Sequence, residues 1–277
     1  INVEVREIPE VNDVELKLPR PDTPFNMAIM QVIDVIAIPT NVEGQPVPNN
    51  TLVTFSCNDK GYFVDSGGSE IGTTTIAGTY NGRATVKYNS GTHATTMPGA
   101  EQAIITATIG EASDSRVIVI EPGNPSKIQL KTYVQVNDNL VEADTSSVSS
   151  PNWIFVHAEL SDAYYNPCPR EPVKFTTDLG SFLNTTQTVT QNTQSDGVAS
   201  VRFTPGLSAG AANIQASANG DTLKAITVFM ITSSELYSLD FTQQSQINLH
   251  VANTGGLQSA ILRVKLRDIN GNLIDSP

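Results

Sequence analysis

One strand–linker–strand pattern recurs along the chain at nearly constant spacing, and it restricts the fold more than any other feature. The segments are VEVREIPEVNDVELKL at 3–18, VIVIEPGNPSKIQLK at 117–131 and ITVFMITSSELYSLDF at 226–241. Val3, Val117 and Ile226 align, as do Val5, Val119 and Val228, and then Leu16, Leu130 and Leu239, with offsets of 114 and 109 throughout. Apolar and polar residues alternate with a period of two on either side of each linker, the pattern of a half-buried strand. The linkers hold turn and breaker residues: Pro9, then Pro122-Gly123-Asn124-Pro125, then Thr232-Ser233-Ser234. A period near 110 residues suits a small β-sandwich, so the sequence predicts an array of all-β domains, each closing its own core.

Further correspondences lie inside the repeats. LVTFSCNDKGYF (52–63) matches PVKFTTDLGSF (172–182), setting Phe55 on Phe175. NGRATVKY (81–88) matches DGVASVRF (196–203), with Gly82 on Gly197, Ala84 on Ala199, Val86 on Val201 and Tyr88 on Phe203. AIITATIG (103–110) matches ANIQASAN (212–219). The offset falls from 120 through 115 to 109 along these pairs, so the first repeat carries extra loop residues, which a sandwich tolerates. The stretch 259–277 matches 153–172, with Leu266 on Leu160 and Asp268 on Asp162. The expected boundaries are 1–8 for the last strand of a preceding repeat, 13–121 for repeat 1, 126–231 for repeat 2 and 236–277 for the first strands of a third. On this reading both ends of the chain cut through a domain.

The chemistry of the chain excludes several functions. Its net charge of −12 and the lack of any Lys/Arg cluster argue against nucleic acid, whose phosphates would repel it. No run approaches the 18 or so apolar residues that a membrane-spanning helix needs, and no basic-then-apolar leader follows Ile1. Cys57 and Cys168 fall at non-equivalent places in two repeats, so a disulfide between them is not expected. His93, His157 and His250 fall in different repeats, and His157 alternates outward on Ile154–Leu160 as a solvent-face residue. H-E-x-x-H, G-x-S-x-G, C-x-x-C and phosphate-loop motifs do not occur, so no catalytic residue and no cofactor is expected.

Three features suggest ligands, each with a plainer reading. Asp268, Asn270 and Asn272 space oxygens like the start of a calcium loop, and Glu121, Asp162 and Asp240 stand near junctions where Ca²⁺ could bind. The glutamate that would complete such a loop falls beyond Pro277, and an Asn-Gly turn is the reading preferred for 268–272. Trp153, Tyr164 and Tyr165 could form an aromatic platform for sugar; Tyr164 and Tyr165 lie in a loop, whereas Trp153 is expected to pack at the core edge. Asn49-Asn50-Thr51 and Asn184-Thr185-Thr186 are formal glycosylation acceptors in Asn/Thr-rich loops.

Three elements together resemble the bacterial immunoglobulin-like domains of the invasin and intimin group. They are Arg267-Asp268-Ile269-Asn270-Gly271-Asn272-Leu273-Ile274, Pro172-Val173-Lys174-Phe175 through Gly180, and Asp196-Gly197-Val198-Ala199-Ser200-Val201. The first repeat departs from the pattern, with Asn81-Gly82-Arg83-Ala84 at the third element and a long loop at 39–51. The resemblance implies tandem immunoglobulin-like, antiparallel β-sandwiches in an extended rod, placed outside the cell, commonly in adhesins, without catalytic residues. The expected function is a structural or adhesive stalk, with a host or neighbouring-cell surface protein or glycan, or copies of itself, as partner. The alternatives are a subunit of a self-assembling filament or sheath and an accessory glycan-binding module of a secreted enzyme.

Overall fold

A computed structural model describes residues 10–21, 24–97, 99–148, 150, 152–183, 185–244 and 248–274. The strand expected at 1–8 and Asn184 lie outside these residues. Every regular element among the described residues is a β-strand, and the chain divides into two compact units, residues 1–124 with 161–168, and residues 125–160 with 169–277.

Unit 1 holds β1 (Val11–Lys17), β2 (Phe25–Ala28), β3 (Val32–Asn41), β4 (Leu52–Cys57), β5 (Tyr62–Val64), β6 (Glu70–Gly72), β7 (Thr74–Gly78), β8 (Ala84–Asn89), β9 (Ala103–Ile109) and β10 (Ala112–Glu121). They form two sheets, ordered β1-β3-β8-β5-β6 and β2-β10-β9-β4-β7. β1 and β2 share the first edge between the sheets: β1 runs antiparallel to β3, while β2 runs parallel to β10 with Phe25 beside Ile118. The alternation read from sequence is the burial pattern on β3, whereas on β10 Val117 faces out while Ile118 and Ile120 fill the core. Ile226 and Val228, aligned with Val117 and Val119, are likewise exposed while Phe229 and Ile231 are buried. On β3, Ile33, Val35 and Ala37 point into the core, while Val32 and Asp34 point out. Phe55, Phe63 and Tyr88 meet edge to face between the sheets, at centroid distances of 6.4 and 6.0 Å. Each such aromatic contributes about 2–3 kcal/mol through burial, with up to about 1.5 kcal/mol more for the ring geometry.

Unit 2 holds β11 (Lys127–Val136), β12 (Asn139–Glu142), β13 (Thr145–Ser147), β14 (Ile154–Ser161), β15 (Pro172–Thr177), β16 (Ser181–Phe182), β17 (Thr188–Asn192), β18 (Val198–Thr204), β19 (Gly210–Ala218), β20 (Leu223–Thr232), β21 (Leu236–Gln244) and β22 (Leu262–Asp268). Its sheets, β12-β11-β14-β18-β16 and β13-β20-β19-β15-β17, follow the same plan. β13 again runs parallel to β20, and an edge-to-face ladder again fills the centre, with Phe175–Phe182 at 6.1 Å, Phe182–Phe203 at 5.9 Å and Phe203–Phe229 at 5.7 Å. β21 and β22 form a two-stranded sheet in which Leu239 faces Leu266 across the strands.

The motif glycines have separate physical reasons. Gly180 has φ +74, and a Cβ there would stand 2.6 Å from Cζ of Phe203. Asn81 and Gly82 both take positive φ, 50° and 75°, and close the two-residue hairpin expected of Asn-Gly. Asp196-Gly197 does not form so tight a turn. Only Gly197 is left-handed there, at φ 76, and the loop closes between Gln194 and Val198, with the Gln194 N–H donating to the Val198 carbonyl at 2.9 Å.

Candidate functional site

The best-defined polar constellation is a turn that occurs twice, once in each unit. In unit 1, Asp162 Oδ1 accepts the backbone N–H groups of Tyr164 at 2.8 Å and Asn166 at 3.0 Å. Its Oδ2 accepts the Gly123 N–H and the Asn166 side-chain amide, both at 2.9 Å. Asn166 in turn donates from Nδ2 to the Thr92 carbonyl at 2.8 Å and accepts the Ala94 N–H at Oδ1 at 2.9 Å. In unit 2 the same six bonds recur. Asp268 Oδ1 accepts from Asn270 and Asn272 at 2.9 and 2.8 Å, and Oδ2 accepts from Ser234 at 3.1 Å and Asn272 Nδ2 at 2.9 Å. Asn272 donates to the Leu207 carbonyl at 2.7 Å and accepts the Ala209 N–H at 3.0 Å.

Both aspartates are buried, with 1% of their surface exposed. Burial alone raises an aspartate carboxyl, but here the hydrogen bonds outweigh it. The Asn272 side chain and the N–H groups of Ser234, Asn272 and Asn270 pull Asp268 down to about 2. Asp162 is also held below the usual range: burial raises it, and the Asn166 side chain with the N–H groups of Gly123, Asn166 and Tyr164 overcomes that effect. The matching turn in repeat 1 starts at Asn41, whose Oδ1 accepts the N–H groups of Glu43 at 3.0 Å and Gln45 at 2.9 Å. Sequence reading missed Asn41 because amide replaces carboxylate and Gln replaces Asn. The signal that could have found it is the fixed four-residue spacing before a strand bridge, Thr40 to Pro46 and Ser161 to Pro167.

These turns collect most of the residues singled out from sequence. Asp268 and Asn272 come together, while Asn270 contributes only its backbone N–H to the same carboxylate. Each Asp268 oxygen is met by two N–H donors. Asp240 accepts from Arg267 Nε at 3.0 Å. Tyr164 and Tyr165 ride on the outside of the Asp162 turn, 48% and 72% exposed. Among the described residues no group of three or more His, Cys, Asp or Glu side chains converges as a metal site would require. Cys57 and Cys168 are free thiols, and burial pushes Cys57 up to about 11.

The structure corrects the placement of Trp153 and adds close neighbours to His157. Trp153 does not close the core edge: it stands on the outer face of unit 2, half exposed, with the Arg202 guanidinium 4.4 Å from its ring centre. His157 lies on the outer face, as its alternation on β14 predicts, opposite the inward Val156 and Ala158. It is half-buried, 4.7 Å from the Tyr133 ring and 6.4 Å from Phe155, and burial lowers its pKa. Trp153 and Phe155 lie 6.3 Å apart, so three rings follow one another at alternate positions leading into and along β14. Two shallow hollows flank them. One of about 390 Å³ is lined by Phe155, His157, Leu140, Gln194 and Asp196, and one of about 350 Å³ by Trp153, Asn137 and Asn152; Gln135 belongs to both.

No known protein family and no curated relative matches this chain. Solved structures do. InvD of Yersinia pseudotuberculosis superposes with a TM-score of 0.59 at 16% identity, covering 94% of this chain and 72% of InvD. The fold is that of the bacterial immunoglobulin-like domains of the invasin type. FdeC, an Escherichia coli adhesin, is similar with a TM-score of 0.52 at 13% identity, over 94% of this chain and 76% of FdeC. Invasin, a bacterial integrin-binding protein, matches at 18% identity and a TM-score of 0.46 over 95% of this chain. The chain spans only about half of invasin's length, 48%. At such identities the likeness is one of fold. No helix among the described residues is long and apolar enough to cross a membrane.

Proposed function

We propose that this chain is part of a non-catalytic, extracellular adhesive stalk at a bacterial surface, built from invasin-type repeats and meeting a host or neighbouring-cell surface molecule. One observation carries the reading. Two sandwiches share a single strand plan and a single Asp–Asn turn, yet their outer faces differ in chemistry. A repeated frame with variable surfaces suits display better than catalysis, which needs convergent reactive groups. The similarity to FdeC, itself an adhesin, supports the adhesive part.

Two measurements on the full chain test it. Beads coated with the chain should be retained on mammalian or bacterial cell monolayers several-fold above beads carrying an inert protein of equal net charge. Equal retention overturns the adhesive part. Small-angle scattering should give a radius of gyration well above the ~19 Å of a globule of 277 residues. A value near ~19 Å overturns the stalk.

A further inference from the structure

We infer that the outer face of the β12-β11-β14-β18-β16 sheet binds a neutral oligosaccharide, with Trp153, Phe155 and His157 as a stacking track and Gln135 at its centre. The inference names a ligand class for the adhesive reading and rests on it.

In unit 1 the equivalent strands carry Asp34 and Lys87 on their outer face, joined by a 3.0 Å ion pair. The sandwich therefore closes without aromatics at those positions. Unit 2 instead places Trp153, Phe155, His157 and Tyr133 there, with Trp153 half exposed and the other three half-buried against neighbouring rings. The two hollows beside these rings share Gln135 and so follow the line of the track. Each has a volume at the lower end of small-ligand sites, sized for a sugar ring or two and not for a folded partner.

The lining then selects the ligand. Gln135, Gln194, Asn137 and Asn152 carry both donors and acceptors, matching hydroxyl groups that also donate and accept. Ring faces and edges match the C–H faces of a pyranose. Charge weighs against an anionic ligand: Asp196 and Asp138 line the hollows and Lys131 is paired with Glu159 at 3.3 Å, while Arg202 retains its charge where it stacks on Trp153. A net charge of −12 adds to that repulsion.

Trp153 is the single tryptophan of the chain, so its fluorescence reports on this face alone. The full chain is titrated with neutral linear tetrasaccharides of glucose, N-acetylglucosamine and galactose, and with a heparin-derived tetrasaccharide. One or more neutral sugars should give a saturable change in emission, with dissociation constants on the order of 1 mM or below. Phe155→Ala should weaken this at least about tenfold with an unchanged circular dichroism spectrum. Calorimetry of Trp153→Ala should show the same loss, and Asp34→Ala in unit 1 no loss. Four results overturn the inference: no response to any neutral sugar at about 10 mM, binding untouched by Phe155→Ala and Trp153→Ala, binding of the heparin fragment alone, or a cell-surface protein captured through this face with no sugar bound. Bead retention without sugar binding refutes the glycan and leaves the adhesive reading standing; sugar binding without retention does the reverse.

Discussion

Asp268 is a carboxylate surrounded by amides, and that fixes how it responds to acid. Its carboxyl lies at about 2 in the folded chain, against about 3.9 in an unfolded one. The folded-state value is depressed, so the stabilisation is fully present above about pH 4 and is lost as pH falls through about 2. Carboxyl-detected NMR should show Asp268 titrating well below the exposed aspartates. Exchange of the Asn270 and Asn272 amides should accelerate over the same window. Asp268→Asn puts an NH₂ where Oδ2 now accepts from Ser234 and Asn272, so it should remove that acid response and speed those amides at neutral pH. Gly180 is a second single-residue constraint. Gly180→Ala requires a left-handed alanine and displaces the Phe203 ring, so we expect a loss of about 2–4 kcal/mol in urea unfolding.

At the scale of elements, the aromatic ladder links the two sheets of each unit. Phe203 touches both Phe182 and Phe229, so Phe203→Ala opens the centre of unit 2. It should cost about 3–5 kcal/mol, read from the urea midpoint followed by Trp153 emission. The β8–β3 strands of unit 1 and the β18–β14 strands of unit 2 were legible in sequence because their inward residues keep period two. The pairing of Tyr88 with Phe203, and of Phe55 with Phe175, survives as equivalent ladder positions. The turns were less legible. Asn81-Gly82 and Asp196-Gly197 look alike, yet one is a two-residue hairpin and the other closes a longer loop. An Asn takes the left-handed conformation more readily than an Asp beside a loop that already hydrogen-bonds through Asp196 Oδ1 to Val198.

For the whole molecule, charge sets colloidal behaviour. With a sequence pI near 4.6, light scattering across pH 3–8 should show greatest association near that value and least at neutral pH, where the −12 charge separates copies. The amino-acid sequence by itself determined that the chain is all-β, that its strand plan repeats, and which side of strands such as β3, β14 and β18 is buried. Those properties follow from local alternation, turn residues and the chance of matching the same pattern again one repeat later. Only the tertiary structure decided the polar sites. The Asn166 amide finds Ala94, 72 positions away, and Leu16 donates to Asp114, 98 positions away. It also decided that Trp153 stands outward, in line with Phe155 and His157. A period-two pattern says that two faces differ, but only strand register and the length of each loop bring distant groups within hydrogen-bonding or ring-contact distance.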